Sequence, residues 1–449
     1  MRRFAWLSIP LLLVTATFAE AKTFTVDSTA DSPDATIGDG KCVSAAGGCT
    51  LRAAVEEANA SGFATTINVP PGTYTLTSPD EGANFGETGP LLLGGETTVS
   101  GGGESKTIID GGGKRRLFEV GNKGNVTLED LTLRGAQVNG GDGAALLNRG
   151  NVQLSNVIFE RNRAIGDPMV PKSGRGAALF NTNGGKAELD SVVAIGNLSD
   201  GKGGALYNDA ASTMTLMNSV VTGNQSLANA GGGISNHGDL QVTISIVRGN
   251  QAVQGGGGID NVESKASLVD VEISENKGGG VRTSGTLTAV NCTISDNTGG
   301  GLLARAPGSA TLNNVTVGNN KGGGARTESG AKLTVSNTIL AQNEGSDCAG
   351  ALNSAGFNLV GEQGGCTIGG QTEGNLYGQP AKLAALAGND GSSRTQALEE
   401  GSAAIDAGNP AKPDGNGNHC APADQRGVAR PQAGSGGVAR CDIGAFEKK

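Results

Sequence analysis

Five side chains with binding chemistry stand at the same place in a repeated six-residue phrase. They are Phe180, Tyr207, Asp260, Arg282 and Arg326. Each is the fifth residue of a phrase such as GAALFN (176–181) or GGGVRT (278–283), and strand side chains alternate between two faces, so this column is expected to point outward. Aromatic rings followed by spaced arginines could hold an acidic glycan. The alternative is a surface that an adjacent loop, such as the insertion at 163–175, covers as packing.

Catalytic residues cannot be assigned from the sequence. The chain has no Asp-Asp dipeptide and no Gly-His-Gly, which a polygalacturonase-like hydrolase would carry, and it lacks the phrases of pectin esterases and calcium pectate lyases. Its two histidines are His237 and His419. A lone histidine in a glycine-rich turn is more often structural than a general base, so the sequence favours a non-catalytic protein.

One loop has the oxygen spacing that begins a calcium site. In DGNGNHC (414–420) the alternating residues are Asp414, Asn416 and Asn418. His419 stands where an EF-hand requires glycine and no glutamate closes the loop, so a solvated turn is the alternative. The acidic loop DSTADSPD (27–34) offers Asp27, Asp31 and Asp34 under the same alternative. No other cofactor is predicted.

A repeat in the middle of the chain positions the outward column. A nine-residue phrase ends each time in asparagine, at Asn162, Asn197, Asn224, Asn250, Asn276, Asn297, Asn320 and Asn343. Short strand-like repeats without helices are typical of a chain that coils and lays each strand on the equivalent strand of the coil before. The fourth residue of the six-residue phrase is always aliphatic and is expected to face the core. The sequence therefore predicts an all-β, right-handed parallel β-helix, a pectin-lyase-like solenoid, with stacked asparagines.

Capping segments are predicted at both ends of this solenoid. Residues 22–62 are expected to form an N-terminal cap, because a first coil would otherwise expose strand edges. The cap contains an amphipathic helix with Thr50 as its N-cap. The buried face of that helix is expected to comprise Leu51, Ala54, Val55 and Ala58. Residues 63–345 are predicted to be the β-helix repeats. Residues 346–449 gain Pro, Ala and Cys, and they are predicted to be a C-terminal closing module that partly continues the coil.

Six of the seven cysteines lie outside the regular coils, in loop-rich sequence that gains from cross-links in an oxidising compartment. We expect neighbours in sequence to pair, although other connectivities are open. The expected pairs are Cys42 with Cys49, Cys348 with Cys366, and Cys420 with Cys441. Cys292 occupies an inward repeat position and is expected to be a small buried residue.

The N-terminus predicts export. Two arginines precede a short apolar run, and Ala19-Glu20-Ala21 forms a cleavage site, so residues 1–21 are interpreted as a signal peptide and the mature protein as secreted, extracellular or at the cell surface. No later stretch is long and apolar enough to span a bilayer. The chain is acidic, with 34 basic and 43 acidic residues, so nucleic acid is not an expected partner.

Both ends resemble segments of exported bacterial β-helix proteins. CTLRAAVEEAN (49–59) resembles the CSLREA motif, with Thr50 for Ser and Ala53 for Glu. SSRTQALEEGSAAIDAGNP (392–410), CAPADQRGVARP (420–431) and CDIGAFE (441–447) resemble the choice-of-anchor Q domain. The resemblance implies an exported surface module without established chemistry. No sorting signal follows Lys449, so release is expected rather than anchoring.

These observations favour a secreted, non-catalytic β-helix protein that acts in surface interaction, adhesion or glycan binding. The alternative is a polysaccharide lyase or glycoside hydrolase that acts on an acidic extracellular polysaccharide. The expected partner is an extracellular polysaccharide or a cell-surface component, and the sequence gives no oligomeric state.

Overall fold

The computed structural model of the protein describes residues 21–78, 89–170, 173–227, 230–432 and 440–449. The described chain is a right-handed parallel β-helix with a helix near its N-terminal end, so the predicted fold class is confirmed. The predicted signal peptide lies outside the described residues except for Ala21. No helix in the described ranges is long and apolar enough to cross a membrane.

Strands of successive coils pair in parallel and form three ladders. The first ladder contains Leu91–Leu93, Phe118–Val120, Leu146–Asn148, Leu179–Asn181, Leu206–Asn208, Ile234–Asn236, Ile259–Asn261, Val281–Thr283, Leu302–Ala304 and Ala325–Thr327. The second contains Lys22–Thr25, Thr65–Val69, Glu96–Gly101, Lys186–Asp190, Thr213–Met217, Asp239–Thr243, Lys265–Val269, Thr286–Val290, Ser309–Asn313, Lys332–Ser336 and Gly365–Gln371. The third contains Gly72–Thr75, Thr107–Asp110, Val193–Ile195, Val220–Thr222, Ile246–Arg248, Glu272–Ser274, Thr293–Ser295, Thr316–Gly318, Ile339–Ala341, Leu359–Val360 and Leu376–Tyr377.

Three longer strands join two ladders each. Asn125–Arg134 and Asn151–Glu160 belong to the second and third ladders, and Cys348–Ala355 belongs to the first and second. A separate sheet contains Gln137–Asn139, Arg163–Ile165, Leu198–Ser199, Gln225–Ser226 and Gln251–Ala252. Parallel pairing thus continues to Tyr377, beyond residue 345 where the regular repeat was expected to end.

The predicted asparagine stack lies inside the coils. The side-chain oxygen of each asparagine accepts hydrogen bonds from the backbone N–H and the side-chain amide of the asparagine one coil earlier, at 2.9–3.1 Å. The same amides also donate to backbone carbonyls, and Asp347 closes the series by accepting from Asn343. The stacked asparagines therefore satisfy buried backbone groups of the turns, as buried polar groups require.

A second asparagine stack was not predicted. Asn148, Asn181, Asn208, Asn236 and Asn261 are joined from amide to oxygen, and Asn261 donates to the Thr283 hydroxyl. All of them are buried. The signal was present in the sequence, because asparagine is the sixth residue of the first five copies of the six-residue phrase.

The N-terminal cap contains one helix, α1, at Leu51–Ser61. The Thr50 hydroxyl accepts from the Ala53 N–H, so Thr50 is the predicted N-cap, and the predicted apolar face is buried. The helix is also buried on its polar side, which the amphipathic pattern did not indicate. Arg52 pairs with Asp31 at 2.7 Å, Glu56 accepts from the Asp34 N–H, and Glu57 accepts from the N–H groups of Gly38 and Gly40, because the acidic loop and the residues after it pack against the helix.

The three disulfides are those expected from sequence neighbours, Cys42–Cys49, Cys348–Cys366 and Cys420–Cys441. Cys292 is a buried free thiol, and its burial raises its pKa to about 12, so it stays protonated and unreactive. Disulfides persist in oxidising compartments, which indicates an extracellular environment for the protein.

The C-terminal segment packs along the upper part of the third ladder. Leu383, Leu398 and Ile443 form an apolar cluster with Ile339 and Leu359 of the coils. Polar contacts extend the interface. Arg394 pairs with Glu272, the Thr293 hydroxyl donates to Gln425, and the Ala445 N–H donates to the Thr316 hydroxyl. The segment therefore covers the outer face of the third ladder over several coils.

Stability is expected to fall between pH 6 and pH 8, because one buried and one half-buried carboxyl near this interface bind protons more tightly in the folded state. Burial, with the charge of Glu447 adding, raises the pKa of Asp442 to about 7. Burial, with Asp424 adding, raises the pKa of Asp270 to about 6. Both values exceed the unfolded value of about 4, so the folded state binds more protons and stability is lost as the pH rises through the folded pKa values.

The thermal unfolding midpoint measured at pH 6 and pH 8 checks this expectation, and Asp270→Asn should reduce the difference. His237 acts with the opposite sign below its unfolded pKa of about 6.5, since its pKa is lowered in the folded state, so it offsets part of the expected fall near pH 6. A midpoint that rises from pH 6 to pH 8 would be inconsistent with protonated carboxyls at the interface.

Candidate functional site

The outward column is less exposed than predicted. Phe180 and Tyr207 are about 4 % exposed and form a buried cluster with Leu147. The expectation of an open aromatic strip is therefore wrong here. The glycine turn of the preceding coil lies against the base of each side chain: a Cβ on Gly143 would come within 2.9 Å of the Phe180 Cβ. Arg175, at the end of the predicted covering insertion, also lies over both rings at 4.6 and 4.9 Å.

Asp260 and Arg282 form an ion pair rather than a free binding surface. Arg282 Nε donates to Asp260 Oδ1 at 2.7 Å, and Asp260 is almost completely buried. Arg326 lies apart from them and is exposed. It lines an open trough of ≈ 680 Å³ together with Leu303 and glycine pairs of successive turns. The role of Arg326 in binding an acidic glycan stays a prediction.

Tyr207 lines a cleft of ≈ 650 Å³ between neighbouring coils. The other polar residues that line this cleft are Asp167, Ser173, Arg175, Asp200, Lys202, Asp209 and His237. They come from turns that precede or follow first-ladder strands, so the coil stacking brings them together from three successive coils. Sequence reasoning selected Tyr207 for binding and weighed His237, but it missed Asp200, Lys202 and Asp209, which have no fixed place in the repeat.

Three rings stack along the coils beside the cleft. The Phe180 and Tyr207 centroids are 5.1 Å apart, and the Tyr207 and His237 centroids are 5.0 Å apart, with interplanar angles of 18° and 26°. Arg175 is fixed by Asp142, which accepts from its backbone N–H and from two guanidinium nitrogens. The stack and the ion pair hold Tyr207 and His237 rigid at the cleft wall, and rigidity lowers the entropic cost of binding.

His237 is uncharged at neutral pH. Burial, followed by the positive charge of Lys202 and then that of Arg175, lowers its pKa to about 4, although Asp260 and Asp209 act in the opposite direction. Its imidazole can therefore accept one hydrogen bond and donate another in the cleft.

Two residues that line the cleft each have a buried side-chain atom without a hydrogen-bond partner among the described residues. These atoms are His237 Nε2 and Asp200 Oδ1. The other Asp200 oxygen accepts from the Gly166 N–H at 3.2 Å, so the side chain is fixed in place. An unpaired buried polar atom costs about 1–3 kcal/mol, so a group that bonds to these atoms would bind favourably.

The charges in the cleft do not select an anion. Asp167, Asp200 and Asp209 face two cationic residues, and one of these, Arg175, is already neutralised by Asp142. Hydroxyl groups suit the site better, since a hydroxyl can both donate to Asp200 and bond to either tautomer of His237.

The candidate calcium loop is held by the protein's own donors. Asp414 accepts from the Asn416 N–H and contacts His419 Nδ1 at 2.8 Å, while the Asn418 amide donates to Ala355 O, so the side chains of Asp414 and Asn418 are engaged in different directions. In the acidic loop, Asp31 is engaged by Arg52. No group of three or more His, Cys, Asp or Glu with metal-binding geometry occurs among the residues that the structure describes. Calcium binding stays a prediction.

Comparisons with known proteins concern the fold. A family model described as a right handed beta helix region matches residues 243–372. A search of curated proteins finds no match. Three solved structures are similar. Pectate lyase Pel9A is 14 % identical, with 96 % of this chain and 97 % of that chain covered and a TM-score of 0.47. The Azotobacter vinelandii mannuronan C-5 epimerase AlgE6 A-module is 18 % identical, with 74 % and 94 % covered and a TM-score of 0.41. The Dettilon tailspike protein is 12 % identical, with 80 % and 69 % covered and a TM-score of 0.38. At these sequence identities and TM-scores, no ligand, substrate or activity of these proteins is assigned to the cleft.

Proposed function

We propose that the protein is an exported glycan-binding β-helix that recognises saccharide hydroxyl groups in the cleft beside His237. The observation that carries this proposal is that two residues lining one cleft, His237 and Asp200, each have a buried, unpartnered polar atom, Nε2 and Oδ1 respectively. The volume of ≈ 650 Å³ lies within the range of about 300–1,000 Å³ that small-molecule sites occupy. The proposal of export rests on the predicted signal peptide and on the disulfides. The proposal of surface attachment or release rests on the resemblance of the two chain ends to exported modules.

Titration calorimetry with gluco-, manno-, galacto- and galacturono-oligosaccharides tests the proposal. His237→Phe should keep the stack on Tyr207 while removing Nε2, and it should weaken binding about tenfold, the value of one lost hydrogen bond. His419→Phe is the matched control and should bind as the unchanged protein does. Equal binding by both variants would place the ligand outside the cleft, and no binding by any saccharide would overturn the proposed function.

A polysaccharide lyase or hydrolase at the same cleft is a second candidate. One observation favours it: an uncharged imidazole with an unpartnered nitrogen lies against a tyrosine, and both line the cleft. Such an imidazole could accept a proton from a substrate. The lowered pKa of about 4 makes His237 a weak base, however, and this favours binding over catalysis. New reducing ends or unsaturated uronate products that disappear with His237→Phe would reverse that preference.

A further inference from the structure

A second cleft of ≈ 700 Å³ adjoins the first, and His237 lines both. Its floor consists of the turns that connect the first ladder to the second. The residues from five successive coils are Ser212, Gly238, Ser264, Gly285 and Gly308. Coils are spaced about 4.8 Å apart, so this floor extends for roughly 19 Å along the solenoid.

The turns leave the floor flat because neighbouring coils approach closely. A Cβ on Gly238 would lie 2.2 Å from Ser212 O, and one on Gly285 would lie 2.1 Å from Ser264 O. Larger residues are therefore excluded at these positions, and the side chains at the rim, such as Lys265 and Thr286, begin the second-ladder strands.

A residue of this floor also has a buried, unpartnered polar atom. Ser212 is about 1 % exposed, lines the second cleft, and its hydroxyl has no partner among the described residues. The backbone N–H of Ser212 donates to Asp209 O, and Asp209 lines the first cleft. One short turn therefore contributes residues to both clefts. Residues with unpartnered buried polar atoms thus line the first cleft, the junction and the second cleft.

We infer that the two clefts form one continuous groove across His237 and that its ligand is an extended polysaccharide chain rather than a single sugar or a disaccharide. This inference rests on the proposed function. A floor that crosses five coils can contact several sugar units in a row, and each further unit adds hydroxyl groups that can bond to exposed polar side chains at the rim, such as Lys265 and Thr286. The rim carries Asp239, Glu263 and Lys265, so its charge does not favour an anionic chain.

Calorimetry of a length series tests the inference. The probes are the monomer, trimer, hexamer and octamer of each oligosaccharide type named above. The octamer should bind at least about tenfold more tightly than the trimer, with one octamer per chain. Thr286→Trp places a bulky side chain at the groove rim on an exposed strand position and should remove this gain while leaving trimer binding unchanged.

Asn151→Trp is the matched control. Asn151 is exposed and occupies the corresponding second-ladder position several coils earlier, outside both clefts, so octamer binding should be unaffected. Equal affinity for trimer and octamer, an unaltered octamer affinity in Thr286→Trp, or two octamers per chain would overturn the groove while the proposed function stands. Failure of every oligosaccharide to bind would overturn both.

Discussion

Arg430→Met is expected to destabilise the protein by about 3–5 kcal/mol, the usual cost of breaking a buried ion pair. The Arg430 side chain is completely buried and donates to Glu447 Oε2 at 2.8 Å and to the backbone oxygens of Asp442 and Gly444. Methionine fills a similar volume but leaves the Glu447 carboxylate buried without its cation. Unfolding in denaturant and hydrogen exchange of the C-terminal segment measure the loss.

Two further variants identify the cause of that loss. In Arg430→Met/Glu447→Gln the uncompensated charge is removed, so the double variant should be less destabilised than the sum of the two single variants. Arg161→Met is the control, because its ion pair with Glu160 is exposed and should contribute at most about 1 kcal/mol. Additive effects of the two buried changes would show that Arg430 and Glu447 do not act as a pair.

Asn250→Leu is expected to cost on the order of 3 kcal/mol, because one side chain completes four hydrogen bonds. Asn250 Oδ1 accepts from the backbone N–H and the side-chain amide of Asn224, and Asn250 Nδ2 donates to Val221 O and to Asn276 Oδ1. Leucine removes all four hydrogen bonds and leaves the Asn224 N–H buried without its acceptor. The Asn224 amide still donates to Ala194 O, and Asn276 Oδ1 still accepts from the backbone N–H of residue 250. The solenoid contacts are mainly between neighbouring coils, so the effect should be concentrated near coil 224–276.

Hydrogen exchange measures the effect of Asn250→Leu at a single backbone amide, the Asn224 N–H. The Asn224 N–H should exchange much faster in Asn250→Leu, since its acceptor is gone, and the unfolding midpoint in urea should fall. Asn151→Leu, at an exposed strand position, should change neither. Unaltered protection of the Asn224 N–H would refute the role of the stacked asparagines in holding the coils.

The fold could be predicted because its determinants are local and periodic. The asparagine that ends each nine-residue phrase and the aliphatic fourth residue of the six-residue phrase recur every coil, so register, core and stack follow from spacing alone. The same holds for the N-cap at Thr50 and for the disulfides between sequence neighbours.

The site could be predicted only in part, because burial of the outward column depends on contacts that spacing does not encode. Alternation correctly places Tyr207 opposite the core, but it does not show that the preceding glycine turn and Arg175 cover the ring. Likewise, the six-residue phrase places Asp260 and Arg282 at equivalent positions on neighbouring strands. It does not show that the two side chains form an ion pair and neutralise each other. Asp200 and Lys202 reach the cleft from turns of variable length, which no repeat position identifies.

The most direct test of the account is a crystal structure of the protein with a bound oligosaccharide. The account predicts saccharide hydroxyl groups at about 2.7–3.2 Å from His237 Nε2 and from Asp200 Oδ1, with the chain continuing over the turn at Ser212. A saccharide bound only in the trough at Arg326, with both cleft atoms facing water, would contradict it.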